Sequence, residues 1–303
     1  MTENYTHLHE SVHEVILKGK QERIDFMNNP LWINHNRSTQ VVQILNQLLR
    51  SPKKPRMRNL LLIGEPNIGK TSLIKYYSSL HPSYIEEDED SVSRTNIPLV
   101  VIDAPVLESE KALYVSILEQ FWTPFNPEHT PLRLKNQVIS LMRECNVRML
   151  IIDEFHNLLT LTAKKRLKTL GILKNLGNEL MISIIAVGIH DATVLINADP
   201  QIASRFDTLT IPRWDLDKNF RGLLLAFEKR LPLRKASNLH EKEKTVLLHN
   251  ISQGNTGDLH RMLIECATYA IEHEIEEITT SVIQQFSWVK PTRTSYSRQL
   301  QFN

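Results

Sequence analysis

The stretch LLLIGEPNIGKTSLI, residues 60–74, decides the fold. Four apolar residues, typical of a buried parallel strand, run into Gly64, and an apolar helical pattern begins after Gly-Lys-Thr at 69–71. Strand, glycine-containing loop and helix, in this order, are the context that the G-x-x-x-x-G-K-[ST] phosphate-binding pattern requires. We therefore predict a loop that binds a nucleoside triphosphate.

The residue types in this loop suit a phosphate ligand. Glycines allow backbone N–H groups to close around phosphate oxygens at a helix N-terminus, where the helix dipole favours anions. Lys70 is expected to reach the β- and γ-phosphates of ATP, and the Thr71 hydroxyl to hold Mg²⁺. The alternative, a chance turn, is disfavoured because both flanks are correct. The predicted nucleotide-binding residues are Gly64, Glu65, Pro66, Asn67, Ile68, Gly69, Lys70, Thr71 and Ser72.

Five apolar runs predict a parallel sheet. They are LLLI (60–63), PLVVID (98–103), MLIID (149–153), ISIIAVG (182–188) and TLTI (208–211). Helical patterns separate the runs, and this alternation of strands and helices is typical of a doubly wound α/β fold. After Pro212 the strands stop. Helical patterns over 215–231, 240–252, 256–273 and 279–287 then predict a small all-helical domain.

The predicted division of the chain has four parts. Residues 1–57 form a helical segment with a basic linker, and residues 58–213 form the α/β nucleotide-binding core. Residues 214–289 form a helical lid domain, and residues 290–303 form a flexible basic tail. The acidic run Glu86 to Asp90, before the second strand, is expected to be a solvated loop.

The composition is that of an ordinary soluble protein. The 303 residues are 41% hydrophobic and 23% charged with a net charge of +2, an excess too small for a strong global field. No apolar run approaches the roughly 18 residues of a membrane span, and the N-terminus lacks the layout of a signal peptide. Cys145 and Cys266 lie far apart without metal-ligand spacing, so we expect reduced core thiols. These features predict a cytoplasmic protein without a membrane partner.

An acidic pair follows the third apolar run. The strand MLIID ends in Asp153, which Glu154 follows. An acid at this strand end is expected beside the loop from the first strand, in the crevice where α/β sheets bind ligands. Asp153 is predicted to bind Mg²⁺ through its water shell, and Glu154 to polarise the attacking water as a general base. The alternative role for Glu154 is a cap on the following helix.

The stretch NADPQIASRFD (197–207) resembles the arginine-finger region of AAA+ ATPases. In that class, an arginine just before the fifth strand often reaches into the neighbouring subunit's site and stabilises charge on the γ-phosphate. Arg205 takes this position and is predicted to be catalytic together with Glu154 and Lys70. The alternative is a surface arginine paired with Asp199 or Asp207.

Two sensor positions of AAA+ ATPases are only partly matched. The fourth strand runs into Gly-Ile-His-Asp at 188–191, where Ile189 cannot sense a phosphate and His190 is the candidate. In GNTGDLHRMLIECA (254–267), the slot of the second-sensor arginine falls on Gly257. Arg261 lies about one turn further along the same helix face and is the candidate there, with a solvated helix arginine as the alternative.

Four stretches in order resemble the TniB/TnsC family of transposition ATPases. They are RIDFMNNPLWINHNRSTQVVQILNQLL, RMRNLLLIGEPNIGKTSLI, VRMLIIDEFHNLL and IIAVGIHDATVLINADPQIASRF. The resemblance covers roughly residues 20–287, and the Trp32-Ile33 pair and the lead-in over 56–60 are its most specific parts. It implies an AAA+ P-loop NTPase core, with a five-stranded parallel sheet and flanking helices, and a small C-terminal all-α lid domain.

The resemblance also implies a function. Family members bind ATP and Mg²⁺ and assemble as rings or helical filaments around double-stranded DNA. They connect a target selector (TniQ-like) to a DDE transposase (TniA/TnsB-like), and hydrolysis acts as a regulatory timer. We expect such a protein in the bacterial cytoplasm, associated with DNA.

The resemblance places DNA-facing positions at Lys111 and Thr130, and Arg133 and Lys135 lie nearby in the sequence. Such side chains hold phosphate oxygens without reading bases, so binding is expected to be independent of sequence. Solvated surface side chains are the alternative. The competing functions are a helicase-loader or insertion-sequence helper ATPase, and a P-loop signalling switch that never touches DNA.

Overall fold

The computed structural model describes residues 5–29, 32–87, 93–104 and 110–286. The predicted tail at 290–303, the end of the predicted lid at 287–289 and the acidic residues 88–90 lie outside these ranges. The helices are α1 (Glu10–His13), α2 (Lys20–Asn28), α3 (Asn36–Arg50), α4 (Lys70–Ser79), α5 (Glu110–Leu118), α6 (Pro131–Glu144), α7 (Ala163–Leu180), α8 (Ala192–Asn197), α9 (Pro200–Ala203), α10 (Lys218–Glu228), α11 (Lys242–Ser252), α12 (Thr256–Glu272) and α13 (Thr280–Gln285). Short 3₁₀ helices span Val15–Leu17 and Phe155–Thr160. The strands are β1 (Asn59–Gly64), β2 (Tyr84–Glu87), β3 (Ser93–Asn96), β4 (Leu99–Asp103), β5 (Met149–Asp153), β6 (Ser183–Gly188) and β7 (Phe206–Ile211).

Five strands form one parallel sheet in the order β4-β5-β6-β1-β7. Every residue of β1, β5 and β6 is buried, which explains why these strands read as unbroken apolar runs. The chain passes from β1 to the far edge of the sheet and returns strand by strand, so that β6 pairs next to β1. The predicted α/β class with a five-stranded parallel sheet is confirmed.

A second, two-stranded sheet was not expected. β2 and β3 pair antiparallel, and Glu86 faces Arg94 across the pair. Opposite charges on facing residues stabilise such a pair. The expected solvated loop is therefore wrong for Glu86 and Glu87, which lie in β2, although both side chains are exposed.

The described chain divides into two compact units. Of the described residues, the sheet unit comprises 40–65, 70–87, 93–104 and 110–211, and the helical unit comprises 5–29, 32–39, 66–69 and 212–286. In the sheet unit, one apolar core joins the parallel strands to residues of α5, α6 and α7. The four-part division predicted from the sequence stays a prediction.

The helical unit has its own apolar core. It joins residues of α2 to α10, α11, α12 and α13. The buried Arg23 on α2 donates hydrogen bonds to both carboxylate oxygens of Glu276 and to the carbonyl of Pro232. The guanidinium of Arg37 lies 4.0 Å above the ring of Trp214, a cation–π contact. The N-terminal helices are thus part of the same folded body as the C-terminal ones.

Two further expectations bear on the class of protein. Within the described ranges, no helix combines the length and apolar character needed to cross a membrane. Cys145 and Cys266 are free thiols, and burial raises the pKa of Cys266 to about 12. A thiol with so high a pKa is a poor nucleophile, which fits a structural role for Cys266.

Candidate functional site

Lys70 is the first residue of α4 and is buried, with 7% of its surface exposed. Its Nζ donates hydrogen bonds to the carbonyls of Gly64 (2.9 Å) and Glu65 (2.8 Å). Burial lowers the pKa of Lys70, while the carboxylates of Glu154, Asp153 and Glu65 oppose that shift. A buried ammonium group with carbonyl partners is a strong local centre for binding an anion.

Thr71 connects the start of α4 to the end of β5. Its hydroxyl donates a 2.7 Å hydrogen bond to Oδ2 of Asp153, which is only 3% exposed. The other oxygen of Asp153 accepts the backbone N–H of Glu154 at 2.8 Å. The structure thus brings together the two predicted metal-binding residues, as their places at two strand ends led us to expect.

These residues fit Mg²⁺. A threonine hydroxyl and a carboxylate are hard oxygen ligands, and Mg²⁺ bound with phosphates typically takes only one or two carboxylates from the protein. In the described part of the chain, no cluster of three or more His, Cys, Asp or Glu side chains could hold a metal by itself. The site therefore suits a metal that is shared with a bound nucleotide.

Glu154 terminates β5 with a left-handed backbone (φ 50°, ψ 35°). This conformation is uncommon for a residue with a side chain. The side chain of Glu154 is half-exposed and makes no cap hydrogen bond to the following 3₁₀ helix, which argues against the alternative capping role. The strained turn gives Asp153 and Glu154 different surroundings, one buried and one open to solvent.

The side chain of His156 was not singled out from the sequence. Its Nε2 lies 3.3 Å from Oε2 of Glu154. A side chain at Gly188, the last residue of β6, would lie 3.4 Å from the backbone nitrogen of His156 and 3.5 Å from its Nδ1. In the sequence, the Asp-Glu-Phe-His order at 153–156 indicates the contact between His156 and Glu154, and the glycine that ends β6 indicates the close approach of that strand to His156.

The middle of the phosphate loop, residues 66–69, contacts the start of α12 within the helical unit. The N–H of Gly257 donates to the carbonyl of Asn67 at 2.9 Å, and the Asn67 amide donates to Asp258 at 3.0 Å. Asn255, the N-cap of α12, donates to the carbonyl of Pro66 at 3.0 Å. Asn67 has φ 61° and Gly69 has φ 97°, conformations that asparagine and glycine tolerate best.

This contact explains why glycine occupies the slot of the second-sensor arginine. A Cβ at position 257 would lie 2.1 Å from Oδ1 of Asn67 and 2.5 Å from its carbonyl oxygen. No side chain fits there without moving the loop.

The two predicted sensor residues are both exposed. Arg261, the candidate for the second sensor, lies on α12, and His190 follows β6. Their proposed contacts with nucleotide stay predictions.

Arg205 lies just before β7 and is half-buried. Its guanidinium donates a hydrogen bond to the side-chain oxygen of Asn178 on α7. Asp207 pairs with Arg58 at 2.5 Å, and Asp199 accepts the backbone N–H of Gln201. Neither predicted acidic partner is therefore the residue that Arg205 contacts.

The four predicted DNA-binding residues lie on or beside α5 and α6 of the sheet unit. Nζ of Lys111 is 3.6 Å from Glu128, and Nζ of Lys135 is 3.4 Å from Glu179. Thr130 is the N-cap of α6, where its hydroxyl accepts the N–H of Arg133 at 3.4 Å, while the Arg133 side chain is exposed. The ion pair of Lys111 with Glu128 brings that lysine to the segment that ends at Thr130.

Comparison with solved structures identifies the fold. The chain is similar to ORC2 of Aeropyrum pernix in ADPNP–ADP complexes, with a TM-score of 0.63 and 15% identity over 86% of this chain and 70% of that chain. It is similar to CDC6P of Pyrobaculum aerophilum, with a TM-score of 0.62 and 17% identity over 86% and 70%. A third similar structure is ORC1 of Aeropyrum pernix in complex with DNA, with a TM-score of 0.61 and 16% identity over 89% and 70%.

The strand order, the phosphate loop and these similarities define the fold of an AAA+ ATPase with a helical C-terminal region. A search of curated protein sequences finds no match. The family profile described as "Bacterial TniB protein" matches residues 23–216. The chain belongs to the TniB family, as its sequence predicted.

Proposed function

We propose that this protein is an ATP-dependent regulator of DNA transposition. It binds and hydrolyses ATP with Mg²⁺, assembles on double-stranded DNA without sequence preference, and links a target selector to a DDE transposase. The observation that carries the proposal is the hydrogen bond of Thr71 to Asp153 beside Glu154, because it joins the two halves of a nucleotide site. Membership of the TniB family supports the connection with transposition.

The nucleotide site is proposed to work by charge and position. Lys70 exchanges its loop carbonyl partners for phosphate oxygens, and the N–H groups of the loop add further donors. Thr71 and Asp153 would hold Mg²⁺, which neutralises charge on the phosphates when bound. ORC2 of Aeropyrum pernix was solved with ADPNP and ADP, which supports a nucleotide as the ligand of this shared fold.

Glu154 is proposed as the general base for the attacking water. Its carboxylate is half-exposed, whereas that of Asp153 is buried and held by two hydrogen bonds. A carboxylate open to solvent can accept a proton from a water molecule. A carboxylate that two hydrogen bonds fix in place still has free lone pairs, which suit the water shell of a metal. The arrangement therefore supports different roles for the two acids.

DNA binding and assembly complete the proposal. ORC1 of Aeropyrum pernix was solved with DNA, which supports a nucleic-acid role for a protein of this fold. Lys111, Thr130, Arg133 and Lys135 are proposed to contact phosphates, and repetition along a ring or filament would compensate for few contacts per subunit. Arg205 is proposed to leave Asn178 and reach the γ-phosphate of a neighbouring subunit's ATP.

The test separates binding from hydrolysis. Lys70→Ala should abolish ATP binding, whereas Glu154→Gln should retain binding and lower turnover by about 10²–10⁴-fold, the range for loss of a general base. Lys75→Ala, an exposed lysine on the same helix, is the matched control. The measurements are equilibrium binding of a fluorescent ATP analogue and phosphate release. A Glu154→Gln protein that hydrolyses ATP at the wild-type rate would overturn the assignment.

A second measurement separates the competing functions. Labelled random duplex titrated with the protein and ATP should bind, and Lys111→Ala should bind more weakly, whereas a signalling switch would bind no DNA. Capture of a DDE transposase encoded beside the gene supports a transposition regulator. Capture of a replicative helicase instead would favour a helicase loader.

A further inference from the structure

Trp122 is fully exposed, with 102% of the surface that a tryptophan shows in an extended reference peptide. It lies in the α5–α6 loop, residues 119–130, in the sheet unit. A tryptophan typically buries most of its large apolar surface inside a protein or against a partner. Full exposure leaves the whole apolar surface of Trp122 free to contact a ligand.

The loop holds Trp122 in a defined place. Phe121 is buried in the apolar core, and Phe125 packs partly buried against it, so that Trp122 lies between two anchored rings. The amide of Gln137 on α6 donates a 3.2 Å hydrogen bond to the carbonyl of Pro124. Because both sides of the loop are attached to the core, little conformational entropy remains to be lost when a partner contacts the indole.

An open groove of about 470 Å³ lies next to Trp122 in the sequence and contains donor groups. Its lining residues are Pro124, Phe125, Asn126, His129, Arg133 and Gln137. Among these described residues there is one guanidinium group, two amides and one imidazole, and no carboxylate. The acid of the same loop, Glu128, instead faces Nζ of Lys111 at 3.6 Å. The groove therefore suits an anion.

An exposed indole on an anchored loop, with a donor-lined groove formed by that loop and α6, matches the needs of a nucleic-acid strand. Bases stack on aromatic side chains whatever their identity, while a positively charged groove follows the sugar-phosphate backbone. A membrane surface or an acidic protein would be attracted by the positive charge of Arg133 in the groove, but neither requires a flat aromatic ring beside that charge. We propose that Trp122 stacks on a nucleobase that is locally unstacked from the bound DNA, with the adjacent phosphate held in the groove beside Arg133.

This inference rests on the proposed DNA binding and extends it. The phosphate contacts proposed for Lys111 and Lys135 would hold a duplex without altering its shape. A stacked indole would instead distort the duplex at each subunit that engages it, since a side chain between base steps partly unstacks them. The assembly would then prefer DNA that is already easy to unstack.

The experiment measures binding of the full chain with ATP to three labelled probes of random sequence: a duplex, the same duplex with a central bulge of unpaired thymines, and a single strand. Trp122→Ala should weaken binding to the bulged duplex by roughly 5- to 150-fold, the effect of one lost stacking contact. Trp122→Phe should retain most of the affinity. Leu167→Ala, an exposed apolar residue on α7 of the same unit, is the matched control.

Salt dependence separates stacking from charge. Trp122→Ala should lower the affinity without changing the slope of log K against log salt, whereas Arg133→Ala should reduce that slope by about 1. In the fully paired duplex, the wild-type protein should make thymines at the unstacked steps reactive to permanganate, and Trp122→Ala should abolish this reactivity. Thermal unfolding of each variant confirms that the fold is retained.

Two results would overturn the inference, and they differ from each other. If the wild type binds DNA and Trp122→Ala binds all three probes equally well, the proposed DNA binding stands and the role of Trp122 is wrong. If the wild type binds none of the probes, the proposed DNA binding fails, and the role of Trp122 fails with it. Loss of transposase capture in Trp122→Ala, with DNA binding unchanged, would assign the loop to a protein partner instead.

Discussion

The predicted phosphate site and the proposed DNA-facing surface both contain charged side chains, but the surroundings of these side chains differ. Lys70 and Asp153 are buried, and each makes two hydrogen bonds shorter than 3.0 Å. Lys111 and Lys135 instead pair with acids at 3.4–3.6 Å near the surface. Lys70 is held by uncharged backbone carbonyls that a phosphate would replace, whereas Lys111 and Lys135 must each give up a charged partner to bind DNA.

This difference determines how much each residue can contribute. Buried charges interact in a medium of low effective dielectric constant, where loss of one partner leaves the other uncompensated. Exposed ion pairs contribute about 0–1 kcal/mol and are screened by salt. We therefore expect large effects from single changes at the phosphate site and small, salt-dependent effects at the DNA-facing surface.

Beyond the Lys70→Ala and Glu154→Gln tests of the nucleotide site, Arg205→Ala is predicted to show the largest effect, and it tests whether the phosphate site is complete in one subunit. Arg205→Ala should leave nucleotide affinity of the monomer intact and lower turnover by up to about 10³-fold, the effect of a lost arginine finger. Turnover of the wild type should rise with protein concentration. The measurement is phosphate release, with the exposed Arg221→Ala on α10 as control.

A mixing experiment shows where Arg205 acts. Arg205→Ala subunits combined with Lys70→Ala subunits should recover part of the activity, because each supplies what the other lacks. If labelled mixed assemblies form and no activity returns, Arg205 acts within its own subunit or only through its contact with Asn178.

Gly257→Ala is predicted to have the next largest effect. The added Cβ would lie 2.1 Å from Oδ1 of Asn67, so the loop or α12 must shift at a cost of about 1–3 kcal/mol. Gly222→Ala is the matched control in the same unit, since a Cβ on α10 meets nothing within 4 Å and should stabilise the helix by about 0.5–1 kcal/mol. Urea unfolding measures both. Equal stability of the two variants would contradict the tight contact.

Thr130→Ala tests whether this residue serves the fold, the DNA or both. The lost N-cap hydrogen bond to Arg133 should lower the free energy of unfolding by about 1 kcal/mol. Thr130→Ser keeps a capping hydroxyl and should restore stability. Unfolding and duplex affinity are measured for both variants. If neither quantity changes in Thr130→Ala, the residue is a solvated surface side chain.

Lys135→Ala is expected to show the smallest effect, a slight loss of affinity for a duplex too short to support extended assembly. Lys135 must leave Glu179 before it can bind a phosphate, whereas Arg133 is exposed. Arg133→Ala should weaken binding a few-fold and reduce the salt slope by about 1, and Lys135→Ala should do less. The exposed Arg94→Ala on β3 serves as control. A larger loss at Lys135 than at Arg133 would reverse the assignment of the main contact.

Much of the fold was predictable because buried parallel strands produce a strong local signal. The runs for β1, β4, β5 and β6 predicted those strands to within one residue at either end, since each is apolar along its whole length. β7 begins two residues before its predicted start, because the charged Asp207 separates Phe206 from the predicted run at 208–211. The β2–β3 pair was missed because its residues are exposed and carry charge, so that no apolar alternation marks it.

The residues of the candidate site were predictable only where a motif fixes both the residue type and its position in the sequence. Lys70 and Thr71 follow from the loop pattern. The hydrogen bond of Thr71 to Asp153 follows because the loop after β1 and the carboxyl end of β5 lie at the same edge of one sheet. The partner of Arg205 was not predictable, because Asn178 is 27 residues away and carries no charge to suggest the pairing.

The sequence by itself determined the α/β class, the phosphate loop, the acidic pair at 153–154 and the TniB family. Each of these can be recognised from short contiguous stretches, because the residue types and their spacing within one stretch are sufficient. Only the tertiary structure decided that Asn67 occupies the space beside Gly257, that Arg205 contacts Asn178, and that Trp122 remains outside the core between Phe121 and Phe125. These contacts depend on how distant segments pack, and packing distances of a few ångströms are set by the whole fold, not by any local pattern.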